Sequence, residues 1–188
     1  QSQLKILFLD DHAGLRDGIG FLLSQKNENL SFLYATNREE GEKILRENSE
    51  ISLAIIDLNL EDESKDGLSA LKAFRKIKSD LKAIIFTMYA DPIHIEQALK
   101  SGVQGYITKN AEIEELENAI LTVASGKTCF NSAACRIMQQ MISPDSVLNE
   151  KFSYMDYKSL TKSEQEVFSL LAQKKETDEI AKMLGKKE

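Results

Sequence analysis

Four short, mainly apolar stretches of the chain stop on a charged or hydroxyl side chain. Lys5-Ile6-Leu7-Phe8-Leu9 runs into Asp10-Asp11, and Leu53-Ala54-Ile55-Ile56 runs into Asp57. Ala83-Ile84-Ile85-Phe86 ends at Thr87, and the segment from Val103 to Ile107 ends at Thr108-Lys109. Short continuous apolar runs bounded by polar residues predict strands buried on both faces, as in a parallel sheet. A further short strand is predicted at Phe32-Leu33-Tyr34-Ala35. Between the strands the spacing changes to three and four, which predicts helices. Leu15, Ile19, Leu22 and Leu23 mark the first helix, over residues 13 to 26, and Glu40, Ile44 and Leu45 mark the second. Leu68, Leu71, Phe74 and Ile77 mark the third; Ile95 and Leu99 the fourth; Ile113, Leu116, Ile120 and Val123 the fifth. Asp91-Pro92 opens the fourth as an N-cap followed by proline at the first helical position.

Five strands alternating with five helices predict a doubly wound α/β domain with a five-stranded parallel sheet. Right-handed crossovers leave the flavodoxin-like strand order 2-1-3-4-5 as the natural candidate. In that order the ends of strands one, three, four and five surround one crevice, and they bring Asp10-Asp11, Asp57, Thr87 and Lys109 to it. Residues 131 to about 142, with Ile137, Met138 and Met141, predict one more helix. The piece from Ser143 to Ser159 reads as a linker. Thr161 and Glu164 form a capping box before a helix through Val167, Leu170 and Leu171. A second short helix follows through Ile180, Ala181, Met183 and Leu184, so residues 160–188 predict the start of a helix-turn-helix. The expected organisation is a domain over 1–127, a helix and linker over 128–159, and a partial helix-turn-helix over 160–188 that lacks its recognition helix. Gln1 in place of Met, and the stop at Glu188, fit a fragment of a longer protein.

Composition changes this picture little. The chain has 188 residues, 42% hydrophobic and 29% charged, and a net charge of −6. No apolar run nears the roughly 20 residues that span a bilayer, and no signal-peptide pattern is present, so a cytoplasmic protein without membrane contact is expected. The two cysteines, Cys129 and Cys135, match no metal spacing and receive no role. His12 and His94 are expected at the surface. From Leu160 onward six lysines balance six acids; that piece by itself has no basic footprint for DNA.

The chemistry lies at the sheet edge. Strands about 4.8 Å apart place Asp57 close to Asp10 or Asp11. Two like charges at roughly 5 Å repel by about 3 kcal/mol at an effective dielectric near 20. Three acids must then protonate one member or hold a cation. Oxygen ligands around an open crevice suit Mg²⁺, while a lysine and a hydroxyl at the same edge supply donors for an anion. Together they form equipment for phosphoryl transfer, with one carboxylate as the nucleophile.

Residues 4 to about 125 resemble a bacterial response-regulator receiver domain. Asp10-Asp11-His12-Ala13-Gly14-Leu15-Arg16-Asp17-Gly18 is similar to the opening of the NarL/FixJ subfamily, and Gly105-Tyr106-Ile107-Thr108-Lys109 is similar to its fifth strand. Residues 160–188 resemble the first half of a LuxR-type DNA-binding domain. The resemblance implies that Asp57 is the phosphoacceptor for a sensor histidine kinase. It implies Mg²⁺ held by Asp11, Asp10, Asp57 and the backbone carbonyl of Asn59. Lys109 would pair with the phosphoryl oxygens, Thr87 would bond them, and Tyr106 would change rotamer as the switch. Weak autophosphatase activity, transcription control through DNA bound by the complete C-terminal domain, and a homodimer are implied with it.

The chain departs from the family pattern in three places. Leu60-Glu61 stands where a Met-Pro pair is usual, and two extra residues precede Gly67, adding acids beside Asp57. Asn110 follows Lys109 where many receivers have proline in a cis linkage, which for a non-proline residue costs about 3 kcal/mol. Tyr89, two residues past Thr87, is bulky enough to cover the phosphoryl site and slow hydrolysis. Two other function classes compete. A haloacid-dehalogenase-type phosphatase needs Asp-X-Asp after the first strand, which Asp10-Asp11-His12 does not supply. A receiver that signals by protein contact alone, without DNA, is the remaining alternative.

Overall fold

The computed structural model describes residues 3–60 and 66–142. The acidic insertion at 61–65, the linker from Ser143 and the two-helix piece at 160–188 lie outside the described residues. The elements run β1 (Leu4–Leu9), α1 (Ala13–Lys26), β2 (Leu30–Ala35), α2 (Arg38–Glu47), β3 (Leu53–Ile56) and α3 (Gly67–Ile77). They continue with β4 (Lys82–Thr87), α4 (Pro92–Lys100), β5 (Gly105–Thr108), α5 (Ile113–Ala124), β6 (Cys129–Phe130) and α6 (Ser132–Ile142).

All strands are parallel and lie in the order β2-β1-β3-β4-β5-β6. The expected order 2-1-3-4-5 is present, with one strand more than the sequence pattern predicts. The sixth strand has only two residues, too short for any periodicity to show. It is fixed by backbone bonds, Cys129 N–H to the Gln104 carbonyl at 2.9 Å and Asn131 N–H to the Tyr106 carbonyl at 3.0 Å.

The central strands β1, β3 and β4 are buried on both faces because helices cover both. Ile6 and Phe8 of β1 join Ile55, Ile84 and Phe86 in a core completed by Leu23 of α1 and Leu116, Ile120 and Val123 of α5. Leu7 and Leu9 point the other way and join Ile56 and Ile85, with Leu45 of α2, Phe74 of α3, Ile95 of α4 and Ala134 of α6. Period-two alternation thus feeds two cores from one sheet. Each fully buried Leu or Ile contributes about 2 kcal/mol by leaving water.

The caps explain where the helices start. The carboxylate of Asp66 accepts from Ser69 N–H and opens α3, and that of Asp91 accepts from Ile93 and His94 N–H and opens α4 ahead of Pro92. Gly102, with φ of 68°, takes the left-handed conformation that ends α4.

The first helix faces differently from its apolar spacing. Leu15 and Leu22 are exposed, as is Phe21, while Arg16, Gly20 and Leu23 are buried. Arg16 turns inward because its guanidinium finds partners: Nη1 donates to the Asp10 carbonyl at 3.0 Å, and the group lies 5.3 Å from the centre of the Tyr34 ring. Leucine spacing alone does not fix the face of a helix whose apolar and polar residues are spread around its axis. No helix among the described residues is long and apolar enough to cross a membrane.

Candidate functional site

The ends of β1, β3, β4 and β5 meet at one edge of the sheet. Leu9 pairs with Ile56, Ile56 with Ile85, and Thr87 with Thr108. The residues one step further on therefore emerge side by side. Backbone bonds carry the ladder past the strands: Asp57 N–H donates to the Leu9 carbonyl at 2.9 Å, and Lys109 N–H to the Thr87 carbonyl at 2.8 Å.

Asp10 and Asp57 are buried at this edge, with 0% and 2% exposure. Burying a carboxylate without a partner costs several kcal/mol. Lys109 answers both: its ammonium lies 2.7 Å from Asp10 Oδ2 and 2.7 Å from Asp57 Oδ2, and its side chain is 5% exposed. Burial by itself pushes that ammonium toward losing its proton, yet the hydrogen bonds and charges of Asp10 and Asp57 outweigh burial. The net result is a pKa held above the ordinary lysine value. Lys109 is a fixed positive charge at any physiological pH.

The remaining oxygens are held from the backbone. Asp10 Oδ1 accepts from His12 N–H at 2.9 Å, and Asp57 Oδ1 accepts from Asn59 N–H at 3.2 Å. Asp11 is partly buried, with His12 Nδ1 at 2.8 Å from its Oδ1. Asp10, Asp11, His12 and Asp57 each offer a donor atom within 4.8 Å of the others. Three carboxylates against one ammonium leave about two negative charges, which a divalent cation balances. The oxygen-rich donor set fits a hard cation, and His12, mostly exposed, points its ring nitrogen at the same group.

Thr87 and Tyr106, on the neighbouring strands β4 and β5, are linked through Tyr89. Thr87 is fully buried, and its Oγ1 accepts from Tyr89 N–H at 3.4 Å. Tyr106 is also fully buried, and its hydroxyl donates to the Tyr89 carbonyl at 2.9 Å. Burial first, then the negative charges of Asp91 and Asp57, push its phenol far above the usual range. Tyr106 therefore keeps its proton and acts as a donor here. The Tyr89 ring stacks on His94. The Lys109-Asn110 bond is trans, like every peptide bond among the described residues.

The structure thus brings Asp10, Asp11, Asp57, Thr87 and Lys109 to one edge as the sequence predicts, with Asn59 exposed in the loop just after Asp57. Two supporting residues escape the sequence reading. Arg16 braces the backbone of Asp10, as above. Gly67 lies so close beneath Asp57 that a Cβ there would sit 2.0 Å from the Asp57 carbonyl oxygen. Only a residue without a side chain lets α3 start there, and its N–H donates to the Leu58 carbonyl at 3.2 Å. A glycine opening a helix directly after a loop of acids is the signal that was available.

Comparison with known proteins matches the response regulator receiver domain to residues 6–121. The chain is 31% identical over 183 residues to the oxygen regulatory protein NreC of Staphylococcus epidermidis, covering 96% of this chain and 83% of that protein. It is 28% identical over 173 residues to the nitrate/nitrite response regulator protein NarL of Escherichia coli, covering 92% and 77%. Among solved structures, a LuxR-family two-component response regulator from Aurantimonas superposes with a TM-score of 0.67 at 24% identity, over 76% of this chain and 100% of that one. RcsB of Salmonella enterica serovar Typhimurium bound to a promoter does so with a TM-score of 0.67 at 20% identity, over 99% and 85%. At those identities the structural likeness bears on the fold.

Proposed function

The chain belongs to the response-regulator receiver family, and from that premise we propose that it takes a phosphoryl group on Asp57 and relays the change to a C-terminal DNA-binding segment that controls transcription. The observation that carries this reading is the single lysine bridging two buried carboxylates beside a third acid. A lysine placed between Asp10 and Asp57 marks the spot where three phosphoryl oxygens would gather.

The donor is a phosphohistidine on a sensor histidine kinase. An oxygen of Asp57 attacks phosphorus; the O–P bond forms as the N–P bond breaks, and the electron pair leaves with the imidazole nitrogen. Asp10, Asp11, Asp57 and the Asn59 carbonyl would hold Mg²⁺. When bound, it supplies the positive charge that lets an anionic phosphoryl group approach an anionic nucleophile. Lys109 then turns from the Asp57 carboxylate to the phosphoryl oxygens. Thr87 Oγ1, released from Tyr89 N–H, supplies a hydroxyl donor, and Tyr106 follows through its bond to the Tyr89 carbonyl. Slow loss of the phosphoryl group to water returns the chain to its resting state, with the Tyr89 side chain restricting that water. The work is that of a phosphoacceptor switch in the cytoplasm, able to act as a homodimer on DNA through the complete C-terminal domain that residues 160–188 begin.

Incubation with acetyl phosphate and Mg²⁺, followed by intact-mass measurement, tests the reading. One phosphoryl adduct is expected on the parent protein and none on Asp57→Ala. An adduct retained by Asp57→Ala, or absent from the parent, would overturn it.

A further inference from the structure

Tyr89 is held from every side by groups that matter to the switch. Its N–H bonds Thr87 Oγ1 at 3.4 Å, and its carbonyl accepts from the Tyr106 hydroxyl at 2.9 Å. Its ring lies face to face with the His94 ring, centroids 3.9 Å apart and planes 3° from parallel. His94 stands in the first turn of α4, and its Nδ1 lies 2.6 Å from Asp91 Oδ2. That short contact, with the backbone bonds from the first turn of α4, holds the Asp91 carboxyl below its ordinary range in spite of burial, which acts first and in the opposite sense. An ionised carboxylate has no proton to give, so His94 Nδ1 donates and the imidazole plane is set by Asp91. The other oxygen of the same carboxylate caps α4, accepting from Ile93 N–H at 3.1 Å and His94 N–H at 3.2 Å. Asp91, His94 and Tyr89 therefore form a chain that ties the segment after Thr87 to the rigid start of a helix.

We propose that His94 is a positioning residue: its ring, aimed by Asp91, clamps Tyr89 and so holds Thr87 Oγ1 and the Tyr106 hydroxyl in the arrangement in which Tyr106 is buried. The proposal rests on the reading of Asp57, Thr87 and Tyr106 as a phosphoryl switch, and it adds a residue to that switch that the apolar pattern had left on the surface. The His94 side chain is 22% exposed, so it is neither buried for packing nor free in solvent. Any movement of Thr87 toward a phosphoryl oxygen must break the bond from Tyr89 N–H. The stack decides whether Tyr89 follows or stays, and with it whether Tyr106 keeps its acceptor.

The experiment uses the full chain with its tyrosines replaced by 3-fluorotyrosine, the Tyr106 resonance being identified by its loss in Tyr106→Phe. Fluorine spectra and affinity for beryllofluoride with Mg²⁺ are measured for the parent, His94→Ala, His94→Phe, Tyr89→Ala and the His94→Ala/Tyr89→Ala double variant. His94→Ala is expected to shift or broaden the Tyr106 resonance and to change beryllofluoride affinity about fivefold, the scale of one lost ring pair. His94→Phe keeps a ring over Tyr89 and is expected to restore most of both. In the Tyr89→Ala background the His94 substitution should have no further effect. Parent-like Tyr106 resonance and affinity in His94→Ala would overturn the proposal, as would an undiminished effect of His94→Ala without Tyr89. Should the parent itself bind no beryllofluoride, the phosphoryl reading fails, while the Tyr106 resonance of the ligand-free protein still decides the clamp.

Discussion

One group at the site is Asp10, Asp57 and Lys109, joined through an ammonium 2.7 Å from each carboxylate. The other is Thr87, Tyr89 and Tyr106, joined by hydrogen bonds to the Tyr89 backbone, with a ring stack on His94. The first group is made of charges in a dry place, where every partner is obligatory and losses are large. The second is made of neutral donors and acceptors whose net contributions are near 1 kcal/mol each, so its members exchange partners readily. The comparison assigns chemistry to the first group and the change of state to the second. A switch needs both: charges that receive the phosphoryl group, and neutral groups that change partners when it arrives.

The largest expected effect comes from the charged side. Lys109→Ala leaves Asp10 and Asp57 buried without their shared cation, and should cost about 3 kcal/mol of stability in metal-free protein. Urea unfolding should show the loss, with partial recovery as Mg²⁺ is added. A metal-free Lys109→Ala chain as stable as the parent would break the distinction between the two sides.

Gly67→Ala should follow. The added methyl would meet the Asp57 carbonyl oxygen at 2.0 Å, so α3 or the end of β3 must shift, at about 2 kcal/mol. Because the shift falls on Asp57 itself, phosphorylation by acetyl phosphate should slow by about tenfold, as a misplaced nucleophile loses its near-attack geometry. A variant that is destabilised but phosphorylates at the parent rate would show that Gly67 serves only packing.

The smallest effect belongs to the neutral side. Tyr106→Phe removes one hydroxyl and should cost about 1 kcal/mol, leaving the ring in its core position. Phosphorylation of Asp57 should proceed at nearly the parent rate, while any phosphorylation-dependent change in shape or self-association weakens. Equal loss of both properties would mean that the two sides are not separable.

How much of this the sequence carried depends on the kind of interaction. Strands β1, β3 and β4 were legible because each is a short apolar run that stops on the functional residue itself: Leu9 before Asp10, Ile56 before Asp57, Phe86 before Thr87. Topology rules then brought those ends together, and the acidic cluster followed. The orientation of α1 was not legible. Leu15 and Leu22 are exposed while Arg16 is buried, since a guanidinium with a carbonyl and an aromatic face to engage competes with leucine for the inner side. The His94–Tyr89 stack was hidden for another reason. Its partners sit five residues apart across a loop-to-helix junction, where neither helical nor strand periodicity applies. Gly67 was visible as a glycine, but its close approach to Asp57 exists only in three dimensions.

The central claim is that Asp57, among three neighbouring acids, is the one that carries the phosphoryl group. Borohydride reduction of the acetyl phosphate-treated protein, followed by peptide sequencing in the mass spectrometer, reads the position directly, because an acyl phosphate is reduced to homoserine. The account predicts homoserine at position 57 and intact aspartate at positions 10 and 11. Homoserine at position 10 or 11, with Asp57 unchanged, would contradict it.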